Sequence, residues 1–334
     1  MLRNETAASP ERRATALAGL RAYQEAPRGR ARRLARVRFR KGRVRLRDYG
    51  AKGSTGRAVI VIPSLINPPF ILDLMPETSL MRWLAIQGFR PFLLDWGRPG
   101  PAERSMDVTA HVERLLLPLI ARFEQPPVLA GYCLGGTIAL AAACTMPVAG
   151  LAMIAAPWRF SGFGTAARGD IADLWRAAQP ACEAMGLVPM EVLQAGFWRL
   201  DPARTIAKYE AFAAMEPGSA AARSFVAMED WANAGAPLPY AAGRQMFDDF
   251  IDADLPGTGR WSVAGGIVDP TRLACPAVDF VSMTDRIVPA RSAADLPDRR
   301  DLGAGHVGMI VGRGGRTQLW EPLADWLSAI PGTR

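Results

Sequence analysis

The sequence has few cysteines, and their arrangement does not indicate a structural role for sulfur. The 334 residues include four, at Cys133, Cys144, Cys182 and Cys275, and their spacings match neither a disulfide framework nor a metal-ligand motif. We therefore expect no metal site, and reduced thiols in a reducing cytoplasm. Residues 1–20 carry several charges without an apolar core segment, so we also expect no signal peptide and a cytoplasmic protein.

Charge is absent from one long stretch of the chain. Between Gln125 and Trp158 there is no Asp, Glu, Lys or Arg, a length that could mimic a membrane span. Four prolines and four glycines interrupt this stretch, so a strand, a turn, a buried helix and a second strand explain it better. We expect no transmembrane segment. Internal repeats and low-complexity tracts are also absent from the sequence.

The overall composition is that of a folded globular protein with a basic charge balance. Hydrophobic residues make up 49% and charged residues 22% of the chain, which argues against disorder. The length suffices for one large domain or two small ones. The net charge of +8 favours an anionic partner, such as nucleic acid, an anionic surface or the phosphates of a coenzyme A ester. Composition alone does not distinguish between these three kinds of partner.

Arginine is concentrated near the N-terminus. Residues 36–40 and 43–47 both alternate arginine with apolar residues, which predicts a β-hairpin with one apolar face and one arginine face. The arginines are either a solvated surface or an attractor for a polyanion. Because no nucleic-acid-binding motif accompanies them, we expect no nucleic-acid partner. Residues 1–35 form a basic extension, flexible or helical.

Apolar runs and helical patterns alternate along the rest of the chain. Fully apolar strands separated by helices predict a mostly parallel sheet that is covered on both faces. Between residues 158 and 261 helical patterns dominate, so we interpret this region as a helical cap on a core of residues 36–157 and 262–330. The predicted strands are residues 58–63, 91–95, 128–131, 150–155 and 277–283, and the predicted helices of the core are residues 79–87, 134–143 and 317–329.

The strongest chemical signal is Gly131-Tyr132-Cys133-Leu134-Gly135, between an apolar strand and an apolar helix. It matches the nucleophile elbow of the α/β-hydrolase fold with cysteine in place of serine. The helix N-terminus would stabilise the Cys133 thiolate, and the Leu134 N–H would point at a developing oxyanion. The alternative is a buried structural cysteine. The second oxyanion donor should come from the loop after the first core strand, and Ile66 is our candidate.

The base should be one of two histidines. His111 precedes the nucleophile on a helical stretch, where we expect a surface position. His306 lies in a glycine-flanked loop before the last helix, where the order nucleophile, acid, histidine requires the base.

The acid should follow the strand that precedes this loop. Asp285 lies at the carboxyl end of residues 277–283 and would fix the tautomer of His306. Asp279 would point sideways from inside the strand and is disfavoured, and Asp301 is the reserve candidate.

These motifs together resemble the polyhydroxyalkanoate synthases, especially the short two-subunit (class III) type, within the α/β-hydrolase superfamily. The likeness extends from about Val37 to Trp326. Besides the Cys133 box, the matching segments are residues 66–74 (Ile-Asn-Pro-Pro-Phe-Ile-Leu-Asp-Leu), 94–97 (Leu-Asp-Trp-Gly), 228–231 (Met-Glu-Asp-Trp), 285–289 (Asp-Arg-Ile-Val-Pro) and 305–309 (Gly-His-Val-Gly-Met). The chain departs from the family at Arg286, where the family often has histidine, and in a shorter stretch between Asp285 and His306.

The resemblance implies an acyltransferase that polymerises 3-hydroxyacyl-coenzyme A and releases coenzyme A, with no cofactor beyond this substrate. Cys133 would carry the acyl group, and His306 with Asp285 would activate the thiol and the attacking 3-hydroxyl. Implied partners are the growing polyester chain or a granule surface and an accessory synthase subunit. We also expect that the chain can form a homodimer. Two alternatives stay open: a cysteine-dependent thioesterase, esterase or polyester-oligomer hydrolase, and a non-catalytic granule-binding relative.

Overall fold

The core of the protein is an eight-stranded sheet. The computed structural model describes residues 2–29, 33–200 and 202–331. Most of the predicted strands recur within a residue or two of their expected ends. The strands are β1 (Arg36–Lys41), β2 (Val44–Asp48), β3 (Ala58–Ile62), β4 (Arg90–Asp95), β5 (Val128–Tyr132), β6 (Gly150–Ile154), β7 (Ala277–Ser282) and β8 (Asp298–Leu302).

The sheet has the order β1-β2-β4-β3-β5-β6-β7-β8. Strands β1, β2 and β4 pair antiparallel, and every pairing from β4 to β8 is parallel. All five residues of β5 and of β6 are buried, as expected for central strands that are covered on both faces. The predicted α/β-hydrolase fold with a mostly parallel sheet is therefore confirmed.

Strand β8 was not predicted, because its sequence Asp-Arg-Arg-Asp-Leu has no apolar run. It pairs parallel with β7 at the edge of the sheet. Its charges are neutralised locally, since Arg299 pairs with Asp301 at 2.8 Å and Arg300 with Asp298 at 3.0 Å. Charged residues are a common device for keeping an edge strand from pairing with another chain.

Helices cover both faces of the sheet, and the region between β6 and β7 is mainly helical. None of the described helices is both long and apolar enough to cross a membrane. Two two-residue strands, Leu187–Val188 and Leu238–Pro239, pair within the cap. The longer helices are α1 (Pro10–Glu25), α2 (Leu80–Ile86), α3 (Leu134–Thr145), α4 (Thr165–Met185), α5 (Met190–Leu200), α6 (Pro202–Ala213), α7 (Ala220–Asn233) and α8 (Glu321–Ala329).

The chain also contains short α-helices and π-helical turns. The short α-helices are Leu2–Glu5, Val108–His111, Leu117–Ile120, Tyr240–Arg244 and Gly308–Val311, and the π-helical turns are Val112–Leu116, Gln245–Asp252 and Arg316–Trp320.

Helix α1, in the predicted basic extension, packs on the cap. It lies so close to α6 that a Cβ at Gly19 would collide with the carbonyl oxygen of Tyr209. Arg12 forms an ion pair with Glu210 at 2.9 Å. Met1 and residues 30–32 of the extension lie outside the described residues.

The arginine-rich segments form the predicted hairpin, but its arginines do not make one solvated face. Arg47 is only 9% exposed and lies 2.9 Å from Asp95. Arg43, at the turn, pairs with Glu103 at 2.9 Å. Partner carboxylates therefore neutralise part of the arginine cluster.

The predicted surface position of His111 is wrong, because its side chain is fully buried. Its Nδ1 lies 2.6 Å from the carbonyl oxygen of Asp107, and its Nε2 lies 2.7 Å from the Arg43 guanidinium. The guanidinium can only donate, so Nε2 accepts and Nδ1 carries the proton of a neutral ring. Burial, reinforced by the charge of Arg43, lowers the pKa of His111 to about 4.

This low pKa predicts a loss of stability in mild acid. The neutral ring favours folding fully above the unfolded pKa of about 6.5, and this contribution is lost as pH falls toward the folded pKa of about 4. The loss amounts to roughly 3 kcal/mol of unfolding free energy. Urea unfolding of wild type and His111→Gln should show a stability gap at pH 7 that shrinks by pH 4.5. A gap that is the same at both pH values would contradict the prediction.

Candidate active site

Cys133 lies at a sharp turn between β5 and α3. Its φ of 58° and ψ of −136° are strained for a side chain other than glycine, and the turn makes it the N-cap of α3. The flanking glycines are required sterically. A Cβ at Gly131 would collide with the Gly135 carbonyl oxygen, and one at Gly135 would collide with the carbonyl oxygen of Ile62. The turn thus presents the Cys133 side chain at the carboxyl end of the sheet.

His306 and Asp285 meet at this same edge. The Nδ1 of His306 lies 2.6 Å from Oδ2 of Asp285, and His306 lines the same cavity as Cys133. Because Nδ1 is occupied by the carboxylate, Nε2 is the ring atom left to exchange a proton. The other carboxylate oxygen of Asp285 accepts from the backbone N–H groups of Ile287 at 2.7 Å and Val288 at 3.0 Å. Asp285 is thereby fixed in place.

Other side chains position the His306 loop. The hydroxyl of Tyr132 donates to the His306 carbonyl oxygen at 3.1 Å, and the Tyr132 ring packs against the imidazole with centroids 5.0 Å apart. Ser282 and Thr284, at the end of β7, donate to the carbonyl oxygens of Ala304 at 2.6 Å and Gly303 at 2.8 Å. Sequence reasoning missed these roles, for which the only local signal was an aromatic residue before the nucleophile.

The electrostatic surroundings of His306 favour a charged ring. Burial alone would lower the pKa of His306, but the interactions with Cys133 and with the Asp285 carboxylate outweigh it and raise the pKa to about 10. The His306 ring is therefore protonated at neutral pH.

The two other acid candidates lie elsewhere. Asp301 is half exposed and pairs with Arg299 at 2.8 Å. Asp279 is buried inside β7, where its Oδ2 accepts from the Ala294 N–H at 3.2 Å, and burial raises the pKa of its carboxyl to about 7. Of the three aspartates, Asp285 is the one that contacts His306.

The candidate oxyanion donors lie on one side of Cys133. Leu134 is the first residue of α3, where backbone N–H groups have no acceptor within the helix. Ile66 also borders the space beside Cys133, but its N–H donates to the Ser64 hydroxyl at 3.1 Å. To stabilise an oxyanion, the Ile66 N–H would have to donate to both acceptors or leave the Ser64 hydroxyl.

Two tryptophans form hydrogen bonds with the loop that contains Ile66. The indole of Trp96 donates to the Pro63 carbonyl oxygen at 3.0 Å, and that of Trp231, on cap helix α7, donates to the Pro68 carbonyl oxygen at 2.9 Å. Both lie in segments by which the sequence resembles the synthases. The bonds give these motifs a physical role, since they fix both ends of the loop beside the nucleophile.

Cys133 borders two cavities. The larger, of about 430 Å³, is also lined by His306 and by cap residues that include Lys208 and Glu229. The smaller, of about 120 Å³, is also lined by Leu134 and by aromatic and aliphatic side chains of the cap.

The larger cavity has one polar wall, which sequence reasoning did not find. The Glu229 carboxylate is buried and accepts from Lys208 at 2.8 Å and from the Tyr209 hydroxyl at 2.9 Å. The N-terminal segment contributes apolar side chains, since Ala16 and Leu20 also line the cavity. The cavity is therefore amphipathic.

Neither a metal cluster nor the arginine hairpin belongs to this site. Within the described ranges, no group of three or more His, Cys, Asp or Glu side chains could hold a metal ion. The hairpin lies at the far edge of the sheet, with β1 four positions away from β5. At the usual strand spacing this is about 19 Å.

The class of the protein follows from its similarity to known proteins. A family model described as the alpha/beta hydrolase family matches residues 67–314, and the chain belongs to this family. A crystal structure of the monoacylglycerol lipase of Paleococcus ferrophilus superposes with a TM-score of 0.51 at 15% identity, covering 86% of this chain and 99% of the lipase. At this identity the likeness concerns the fold alone.

Within this family, the resemblance to polyhydroxyalkanoate synthases is confirmed. The chain is 27% identical over 310 residues to the poly(3-hydroxyalkanoate) polymerase subunit PhaC of Haloferax mediterranei, covering 87% of this chain. It is 28% identical over 291 residues to the protein of that name from Synechocystis sp., covering 81% of this chain and 77% of the relative. It spans only 63% of the Haloferax relative and 60% of the one from Haloarcula marismortui.

Proposed function

We propose that this protein is an acyltransferase that polymerises 3-hydroxyacyl-coenzyme A into polyhydroxyalkanoate through an acyl thioester on Cys133. The observation that supports the proposal is that Cys133 and His306 line the same cavity, with the His306 ring held 2.6 Å from Asp285. The homology to PhaC subunits supports the choice of substrate.

In the first half of the reaction, Cys133 takes the acyl group. Its thiolate attacks the thioester carbonyl carbon, and the oxyanion is stabilised by the Leu134 N–H with a second donor from the Ile66 loop. The tetrahedral intermediate collapses with loss of the coenzyme A sulfur, which receives the proton of the His306 imidazolium. His306 is then neutral, and Asp285 keeps its Nε2 directed at the thioester.

In the second half, an alcohol takes the acyl group from Cys133. Neutral His306 removes the proton from the 3-hydroxyl of another 3-hydroxyacyl unit, and the oxygen attacks the Cys133 thioester. An ester bond forms, the carbon–sulfur bond breaks, and the thiolate–imidazolium pair is restored. Atoms and protons balance over the cycle, with one thiol released per acyl unit transferred from coenzyme A.

Cysteine suits this sequence of steps. Exchange of one thiol for another makes the acyl-enzyme with little change in free energy, so the acyl group stays activated for ester formation. Water would make the same chemistry a hydrolysis, and its exclusion by the cap favours transfer. The alternative function is therefore a thioesterase or polyester-oligomer hydrolase with the same residues.

The partners follow from the proposed reaction. We propose the short two-subunit type, with an accessory subunit and a polyester granule surface as partners, in the cytoplasm. A homodimer is proposed as well. No cofactor is needed in the proposed cycle, because the acyl group arrives already activated as a thioester.

The decisive experiment is to incubate the purified protein with 3-hydroxybutyryl-coenzyme A and to follow both products. We expect release of coenzyme A together with polyester that grows in length, measured by thiol titration and by size-exclusion chromatography of the extracted polymer. The reaction should be run with and without a candidate accessory subunit. Stoichiometric release of free 3-hydroxybutyrate in every case would establish the hydrolase instead.

A further inference from the structure

The loop that follows β3 packs directly against the nucleophile turn. Its first residue, Pro63, borders the larger cavity together with Cys133. A Cβ at Gly135, two residues after Cys133, would lie only 2.7 Å from the carbonyl carbon and oxygen of Pro63. Because the Pro63 carbonyl touches the first turn of α3, a shift of this loop moves its N–H groups relative to the Cys133 side chain.

The Pro63 carbonyl is held by Trp96, which follows β4. The indole N–H of Trp96 donates to this carbonyl oxygen at 3.0 Å, and the residue is only 5% exposed. The backbone of Trp96 is held in turn, because its carbonyl oxygen accepts from the guanidinium of Arg43. Trp96 therefore links Arg43, in the turn between β1 and β2, to the loop beside Cys133.

Arg43 uses each nitrogen of its guanidinium in a separate contact. Nη1 donates to the carbonyl oxygen of Trp96, Nη2 to Nε2 of His111 at 2.7 Å, and Nε to the Glu103 carboxylate at 2.9 Å. The His111 ring also packs edge-on against the Trp96 indole, with centroids 5.9 Å apart. A planar guanidinium reaches three acceptors in one fixed geometry, which a lysine ammonium cannot reproduce.

The main chain after Trp96 also fits closely against Arg43. Gly97 has a φ of 65°, which favours glycine. A Cβ at Gly97 would lie 2.8 Å from the carbonyl oxygen of Arg43. The Trp96-Gly97 pair is thus held against Arg43 by its backbone as well as by the guanidinium.

We infer that Arg43 is a positioning residue for the acylation of Cys133. It holds Trp96, and Trp96 holds the loop that carries the second oxyanion donor, although the hairpin itself lies far from the nucleophile. The inference rests on the proposed function, whose first step needs this donor. A misplacement of about 1 Å can cost about 10²-fold in rate, and loss of one oxyanion donor costs about 10²–10³-fold.

The test compares two reactions of the same sulfur. Acylation develops an oxyanion, whereas alkylation by iodoacetamide displaces iodide from a carbon atom and develops none. Acylation is measured by intact mass with two donors, 3-hydroxybutyryl-coenzyme A and p-nitrophenyl acetate, and alkylation of Cys133 by peptide mass. Arg43→Lys and Trp96→Phe should each slow acylation by at least about tenfold and change alkylation by less than about twofold. Because both variants act through the same bond to Pro63, the double variant should be slowed about as much as the slower single variant.

The matched control is Arg90→Lys. Arg90 lies at the start of β4, whereas Trp96 follows its end, and it forms an ion pair with Asp48 at 2.7 Å. This variant should change neither rate. A loss of acylation equal to that of Arg43→Lys would overturn the inference, because any lost arginine pair of the sheet would then have the same effect.

The remaining outcomes also decide the role of Arg43. Normal acylation in both Arg43→Lys and Trp96→Phe would overturn the inference, and so would equal losses of acylation and alkylation, which would show a general disturbance of the turn. If wild type reacts with p-nitrophenyl acetate alone, the proposed function fails and the nitrophenyl ester still tests the inference. Absence of an adduct with either donor would overturn both. Trp96→Phe keeps the test decisive if Arg43→Lys does not fold.

Discussion

Replacement of Cys133 by alanine is expected to abolish acyl-enzyme formation and to reduce coenzyme A release by at least about 10⁴-fold. Without the sulfur, the proposed acyl thioester at residue 133 cannot form. The measurement is intact mass after mixing with 3-hydroxybutyryl-coenzyme A, together with the initial rate of thiol release.

Two controls separate loss of the nucleophile from loss of the fold. Cys275→Ala removes a different half-buried thiol, on the segment before β7, and should leave acylation unchanged. Cys133→Ser preserves the size of the nucleophile and should show a slow acylation at most, because an alcohol is far harder to ionise than a thiol. An adduct of normal rate and stoichiometry on Cys133→Ala would place the nucleophile at another residue.

The central sheet was predictable because burial on both faces makes a strand a continuous apolar run. The same run leads into the Gly131–Gly135 turn, whose glycines are dictated by contacts with the helix and with β3. Strand β8 was not predicted because its sequence is charged rather than apolar. Its charges form ion pairs at the edge of the sheet. The position of His111 was predicted wrongly because its ring contacts Arg43, which lies 68 residues away in the sequence.

The candidate site was predictable only in its chain order. The spacing of strands and loops brought Cys133, Asp285 and His306 to the same edge of the sheet, as expected for parallel strands. The residues that hold them are joined by contacts between distant segments, such as the bond of Trp231 to the Pro68 carbonyl oxygen. No local sequence pattern specifies such a contact. The two cavities could not be predicted either, because side chains from distant segments line them.

Replacement of His306 by glutamine is expected to lower the rate of acylation by about 10³-fold or more. Glutamine can fill part of the space and accept or donate a hydrogen bond, but it cannot carry the proton that the leaving sulfur needs. It also removes the positive charge beside the thiolate. Asp285→Asn, which leaves the ring in place but no longer favours its charged form, should be the milder of the two changes.

The pH profile distinguishes a proton-transfer role for His306 from a structural one. Because the pKa of His306 is raised to about 10, its protonated form persists through neutral pH and is lost as pH rises through about 10. Acylation by wild type should therefore fall on the alkaline side, and this limb should vanish in His306→Gln, whose remaining rate lacks the titrating ring. If the variant retained near-normal turnover, or kept the same alkaline limb at a lower rate, His306 would be a packing residue and the proton would be transferred by another group.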